Sequence, residues 1–216
     1  MKFKKLNRFE LDALKEISSV GAGHASTALS VMTAKRIEVT FPWMKVCPLE
    51  NVTSVIGKPE REITNIYLHI DGTYIDKEFE ICSLILAFPI KSAVLLAKLL
   101  QGEEPGAEEL TEMDRSTLQE IGNILAGSYL SAMAEYLNLK LIESVPSIAS
   151  DMLDSVMDPI LAKHASEVED AIVFNTRFIV GGQEITGHFV VLFYSHMRLI
   201  LANVKYLKEI EKCLGR

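Results

Sequence analysis

An α+β fold is what this sequence predicts: an internally duplicated, pseudo-two-fold domain with an antiparallel sheet and long helices packed on it. Three observations carry the expectation. A long helical segment occurs twice, strand-like apolar runs follow each copy, and each half closes on a further helical stretch. The two long segments, Leu11 to Pro42 and Arg115 to Pro146, match when slid past each other by 104 positions. Leu14, Glu16, Ile17, Gly23, Ala28 and Pro42 then fall on Leu118, Glu120, Ile121, Gly127, Ala132 and Pro146. One repetition is too few for a solenoid. It predicts one domain over 1–216 made of two repeats, at about 7–102 and 111–210.

The elements follow in the same order in each half. The first helix opens on capping signals, Asn7 with Glu10 and Thr111 with Asp114. A strand runs into each proline, Arg36 to Phe41 and Lys140 to Val145. Two β-rich runs come next: Ile63 to Ile70 and Glu80 to Phe88, then Ala171 to Val180 and Ile185 to Tyr194. Gly181-Gly182 reads as the turn of a hairpin. Helices close the halves, Ile90 to Gln101 and His196 to Ile210, with Gly102 to Leu110 as the joint. The second half adds an amphipathic stretch, Ser147 to Ala165, expected to be helical until Pro159. Each half alone has too few strands for a stable sheet, so the halves are expected to share one, with the helices on one side.

Composition narrows the function classes. Of 216 residues, 49% are hydrophobic and 24% charged, a globular balance. A net charge of -7 argues against nucleic acid as a partner, because binding it requires basic surface. The longest apolar run, around Ile81 to Leu100, is interrupted by Pro89, Lys91 and Lys98, so no membrane insertion is expected. No apolar core backs the basic N-terminus, and Cys47, Cys82 and Cys213 form no pairing motif. Together these predict a cytoplasmic protein with reduced thiols. The histidines show no metal-ligand spacing, and Gly21 to Ser26 sits in a helical pattern rather than a phosphate-binding loop. No metal site and no cofactor are expected.

The long helices carry the chemistry. At roughly 100° per residue, Ser116, Glu120, Asn123 and Gly127 fall in one narrow stripe. Leu118, Ile121, Leu125, Tyr129 and Ala132 lie opposite and form the expected core face. The first helix repeats the layout, with Asp12, Glu16, Ser19 and Gly23 against Leu14, Ile17, Ala25 and Ala28. Exposed helix faces commonly hold Glu, Asn and Ser without further meaning. The repetition of the stripe, with a proline at a fixed distance, points past that.

The spacing is Ser116-x3-Glu120-x2-Asn123-x22-Pro146 and, with one departure, Asp12-x3-Glu16-x2-Ser19-x22-Pro42. It resembles the duplicated signature of the CheC/CheX/FliY chemotaxis phosphatases, with the two-copy layout of CheC. The resemblance implies a phosphatase of two-component signalling. Its substrate would be a CheY-type response regulator phosphorylated on aspartate, which carries its own Mg²⁺. Asn123 would orient the in-line water and Glu120 would pair with the regulator's active-site lysine. Ser116, and Asp12 in the first copy, would be supporting residues. Ser19 stands where the family has Asn, so the first site, Glu16 and Ser19, is expected to be weak or degenerate. The resemblance also implies binding to the receptor deamidase CheD through the amphipathic stretch, with Asp154 and Asp158 on its polar side. Two other readings stay open: a CheD-binding regulator with little catalysis, and a structural part of a flagellar or archaellar motor.

Overall fold

The computed structural model describes residues 8–74, 77–104, 109–137 and 139–194. The first repeat forms α1 (Arg8–Thr33), β1 (Ile37–Pro48), a 3-10 turn (Leu49–Asn51) and the short α2 (Val52–Ile56). The paired strands β2 (Glu62–Tyr74) and β3 (Lys77–Pro89) and helix α3 (Ile90–Gln101) complete it. The second repeat forms α4 (Glu112–Leu137), β4 (Lys140–Glu143), β5 (Ser147–Met152) and α5 (Leu153–His164). The hairpin β6 (Asp170–Val180) and β7 (Gln183–Phe193) follows, turning on Gly181 and Gly182, both at positive φ as a tight hairpin requires. The expected cap at Asn7, the closing helix His196 to Ile210 and Cys213 lie outside the described residues.

The sheet is antiparallel, in the order β1-β6-β7-β3-β2-β4, with β5 also on β2. The repeats exchange strands. β1 of the first repeat pairs with β6 of the second, and β4 and β5 of the second pair with β2 of the first. β3 and β7 meet in the middle. Both prolines of the repeated motif break the ladder, because proline has no N–H to donate. At Pro42 the strand absorbs this as an irregularity between Thr40 and Trp43. At Pro146 the ladder stops, which is why one strand in the first repeat becomes two in the second.

Two expectations about the second repeat change. Ser147 to Met152 is strand β5, not helix, since β2 leaves backbone groups unpaired from Glu62 to Tyr67 and this segment pairs with them. Pro159 lies inside α5 without ending it. It is exposed, and the bond it forfeits belongs to the carbonyl of Ser155, also an exposed residue open to water. The helices also occupy both sides of the sheet. α1, α3 and α4 share a core with Ile66, Leu84, Phe174 and Phe189. α2 and α5 pack on the alternate residues Ile85, Val173, Val190 and Leu192. Strands buried on both faces explain why Leu84 to Phe88 reads as an unbroken apolar run.

Local contacts fix the helices. Thr111 and Asp114 form the expected cap: the Thr111 hydroxyl and N–H donate to Asp114 Oδ2 at 2.7 and 2.9 Å, and the Asp114 N–H donates back to Thr111 Oγ1 at 3.2 Å. Lys98 lies 3.1 Å from the buried Asp114 carboxylate. α1 and α4 run antiparallel and nearly touch at Gly21, where a Cβ would stand 2.9 Å from the Tyr129 Cα. Across the sheet, buried His164 anchors α5. Tyr194 donates its hydroxyl proton to Glu80 Oε2 at 2.9 Å and accepts from His164 Nδ1 at 2.9 Å. His164 Nε2 is then left to accept from Tyr67 at 3.2 Å and Ser83 at 3.3 Å.

Candidate functional site

The apolar stripe of α4 is buried as expected at Leu118, Ile121, Leu125, Tyr129 and Ala132. That burial turns Ser116 and Glu120 outward, with Asn123 and Gly127 partly exposed beside them. Neither Glu120 nor Asn123 has a hydrogen-bond or salt-bridge partner among the described residues, so both remain available to an incoming molecule. Pro146 is buried beside this stripe, and its carbonyl accepts from Gln119 Nε2 at 3.0 Å. The bond ties the β4–β5 junction to the helix one residue before Glu120. Pro146 thus shapes the site without presenting chemistry.

The first copy is arranged differently. Asp12 and Glu16 are exposed, but Asp12 lies 4.0 Å from Arg8 and 3.9 Å from Lys15. Ser19 donates its hydroxyl to the Lys15 carbonyl at 2.9 Å, so its one proton is spent inside its own helix. Glu16 shares a groove with Val20, Ala132 and Tyr136, and its charge helps burial raise the Tyr136 pKa. Ala132 is nine residues past Asn123, roughly 13 Å along the helix. The two copies therefore do not merge into one site. Ala28, expected on the core face, is exposed, because Leu29, about 100° round the helix, takes the inward position.

The sequence reading did not single out Glu143. It ends β4, and its carboxylate lies over Gly127 of the stripe, where a glycine Cβ would stand 3.2 Å from Oε1. Partial desolvation raises its pKa above the usual carboxylate value. The repeat offered a signal: the matching residue in the first copy is Val39, which is buried, and Gly23 there faces open space.

Asp154 and Asp158 are on α5, across the sheet from α4, with Asp158 exposed and Asp154 half-buried. Among the described residues no group of three or more His, Cys, Asp or Glu is placed to hold a metal ion. No helix among them is long and apolar enough to cross a membrane.

The model of the CheC-like family matches residues 113–150, which include Ser116, Glu120, Asn123 and Pro146. The chain is 29% identical over 194 residues to the CheY-P phosphatase CheC of Bacillus subtilis, covering 88% of this chain and 90% of that one. It is 26% identical over 150 residues to the flagellar motor switch phosphatase FliY of the same organism, covering 69% of this chain but 37% of that longer protein. Among solved structures, Thermotoga maritima FliY superposes with a TM-score of 0.73 at 21% identity, covering 93% of this chain and 98% of that one. The FliM middle domain of H. pylori superposes at 0.62 with 11% identity, covering 91% and 99%, and so shares the fold. The chain is thus similar over most of its length to members of the CheC-like family, whose model matches the segment that holds Glu120 and Asn123.

Proposed function

We propose that this chain is a phosphatase that hydrolyses the aspartyl phosphate of a CheY-type response regulator in the cytoplasm, working from its second repeat. The observation that carries the assignment is the Glu120–Asn123 pair on one helix, Glu120 exposed and Asn123 partly so, without a hydrogen-bond or salt-bridge partner among the described residues. Its likeness to the CheY-P phosphatase CheC supplies the reaction class. An acyl phosphate is already reactive, so the enzyme needs to hold a water in line with the P–O bond. Asn123 carries both an acceptor and donors on one amide, which suits that task. Glu120, three residues earlier on the same face, is suited to a charge-assisted contact with a regulator lysine. Mg²⁺ belongs to the regulator in this scheme. Ser116 lies one turn further back and supports Glu120.

Ser19 falls short in both reach and valence, so the first copy contributes little to turnover. Asn123→Ala leaves the buried face of α4 intact. It should yield a folded protein that binds the phosphorylated regulator and hydrolyses it on the order of a hundredfold more slowly. Glu120→Ala should weaken binding instead. Full activity in Asn123→Ala, with activity abolished in Glu16→Ala, would overturn the assignment.

A second role is compatible with the first. α5 presents Asp154 and Asp158 on the face of the sheet away from α4, so it suits a separate protein partner, the receptor deamidase CheD. Both partners could then be held at once.

A further inference from the structure

Glu143 is an ionisable group beside the stripe that the Glu–Asn signature does not account for. Its carboxylate is packed against Gly127, four residues beyond Asn123, while Glu120 lies three residues before it. Asn123 is therefore flanked along the helix by two carboxylates that come from different elements. Glu143 makes no hydrogen bond or ion pair among the described residues, yet it is partly desolvated, and this raises its pKa. A partly desolvated carboxylate with no cation beside it favours an arriving one. Its side chain is still exposed enough to be reached. Gly127 leaves room for it: a β-carbon at that position would crowd Oε1 to 3.2 Å.

The repeat isolates the feature. The first copy has Gly23 at the position of Gly127 but Val39 at the position of Glu143. Val39 points into the core and nothing approaches Gly23 within 4 Å. The second carboxylate thus occurs only in the copy that keeps its asparagine.

We infer that Glu143 is a specificity-determining residue that receives a basic side chain of the phosphorylated regulator, beside the aspartyl phosphate that Asn123 enters. The inference rests on the phosphatase reading for its partner. Glu120 and Glu143 would then fix the regulator at two points on either side of Asn123, which sets the direction of docking as well as its strength.

The test uses the full chain and a purified CheY-type regulator, phosphorylated or held in its active state with beryllofluoride and Mg²⁺. Glu143→Gln should weaken binding about tenfold, with kcat within about twofold of the unaltered protein. The dependence of Kd on salt should become shallower, because one ion pair has been removed. Thermal stability should not fall, since an unpaired desolvated charge has been removed; a residue with a merely structural role would lower it. Glu143→Lys should bind still more weakly and be rescued by reversing one basic residue next to the regulator's phosphorylation site. Unchanged Kd and salt dependence in Glu143→Gln would overturn the inference. So would a fall in kcat at constant Kd, which would place Glu143 in the chemistry. Dephosphorylation by the unaltered protein, assayed in parallel, separates the two levels: its absence refutes the phosphatase reading, while the Glu143 contact is still decided by Kd.

Discussion

Changing Gly127 to alanine separates what the stripe does for folding from what it does for docking. Gly127 is in the interior of α4, where alanine is favoured over glycine by about 1 kcal/mol. Against this stands the new Cβ, 3.2 Å from Glu143 Oε1, a contact that must relax by a few tenths of an ångström. The obstacle is the end of an exposed side chain, so it can swing aside at little cost. A net stabilisation of about 0.5–1 kcal/mol follows, a rise of about 1–4 °C in Tm for a chain of this size. Activity should move the other way. On the proposed function the methyl group would stand on the docking surface and displace a carboxylate, so KM for the phosphorylated regulator should rise about tenfold, equivalent to about 1.4 kcal/mol. Two controls bracket the result. Gly23→Ala meets no atom within 4 Å, and it should stabilise by about 1 kcal/mol with kinetics within about twofold. Gly21→Ala meets the Tyr129 backbone at 2.9 Å, which cannot swing away, and it should destabilise by about 1–3 kcal/mol. Thermal melts and regulator dephosphorylation on the three variants decide the matter. Equal KM values for Gly127→Ala and Gly23→Ala would refute the claim that the second stripe, not the first, meets the regulator.

Thr111→Ala removes the α4 cap and should cost about 1 kcal/mol in urea unfolding while leaving kcat unchanged; a matching loss of kcat would tie the cap to the site. Reversing the charge of Asp158 should weaken CheD binding in a pull-down and spare dephosphorylation, and equal loss of both would indicate misfolding or a shared surface. Burial holds His164 and His188 below the ordinary imidazole pKa of 6.5. The unfolded chain then binds protons that the native chain refuses, so stability should fall as pH drops below about 6.5. His164→Gln should flatten that slope between about pH 7.5 and 5.5, and an identical slope in urea midpoints would assign the effect elsewhere.

The sequence was most informative where local rules act. The α4 face could be read because period 3.6 and burial agree, and the Thr111–Asp114 cap because its spacing dictates its bonds. The Gly181–Gly182 turn could be read because only glycine is at ease at two successive positive φ values. What escaped was set at long range. Ser147 to Met152 became a strand because β2 had an open stretch of backbone, which no local pattern reports. The exchange of β1 for β4 and β5 depends on pairings between the halves, and periodicity says nothing about partners. Ala28 was misplaced because it matched Ala132 in the repeat, while the inward position on α1 belongs to Leu29. At the site, Glu120 and Asn123 stood out through spacing. Glu143 did not, because it comes from a strand and reaches the stripe only through the crossing of β4 beneath α4.

The reciprocal pairing of β1 with β6 and of β4 and β5 with β2 bears on how such a chain can change by mutation. Substitutions on the outward face of α1 are cheap, since exposed Ser19 bonds only within its own helix and touches no buried contact. Deleting the first repeat is not cheap, because β6 and β7 would each lose one neighbour and β4 and β5 would have no strand to join. Selection can therefore alter the outward face of one copy but must retain its backbone, and that surface stays in place, free to acquire a different ligand.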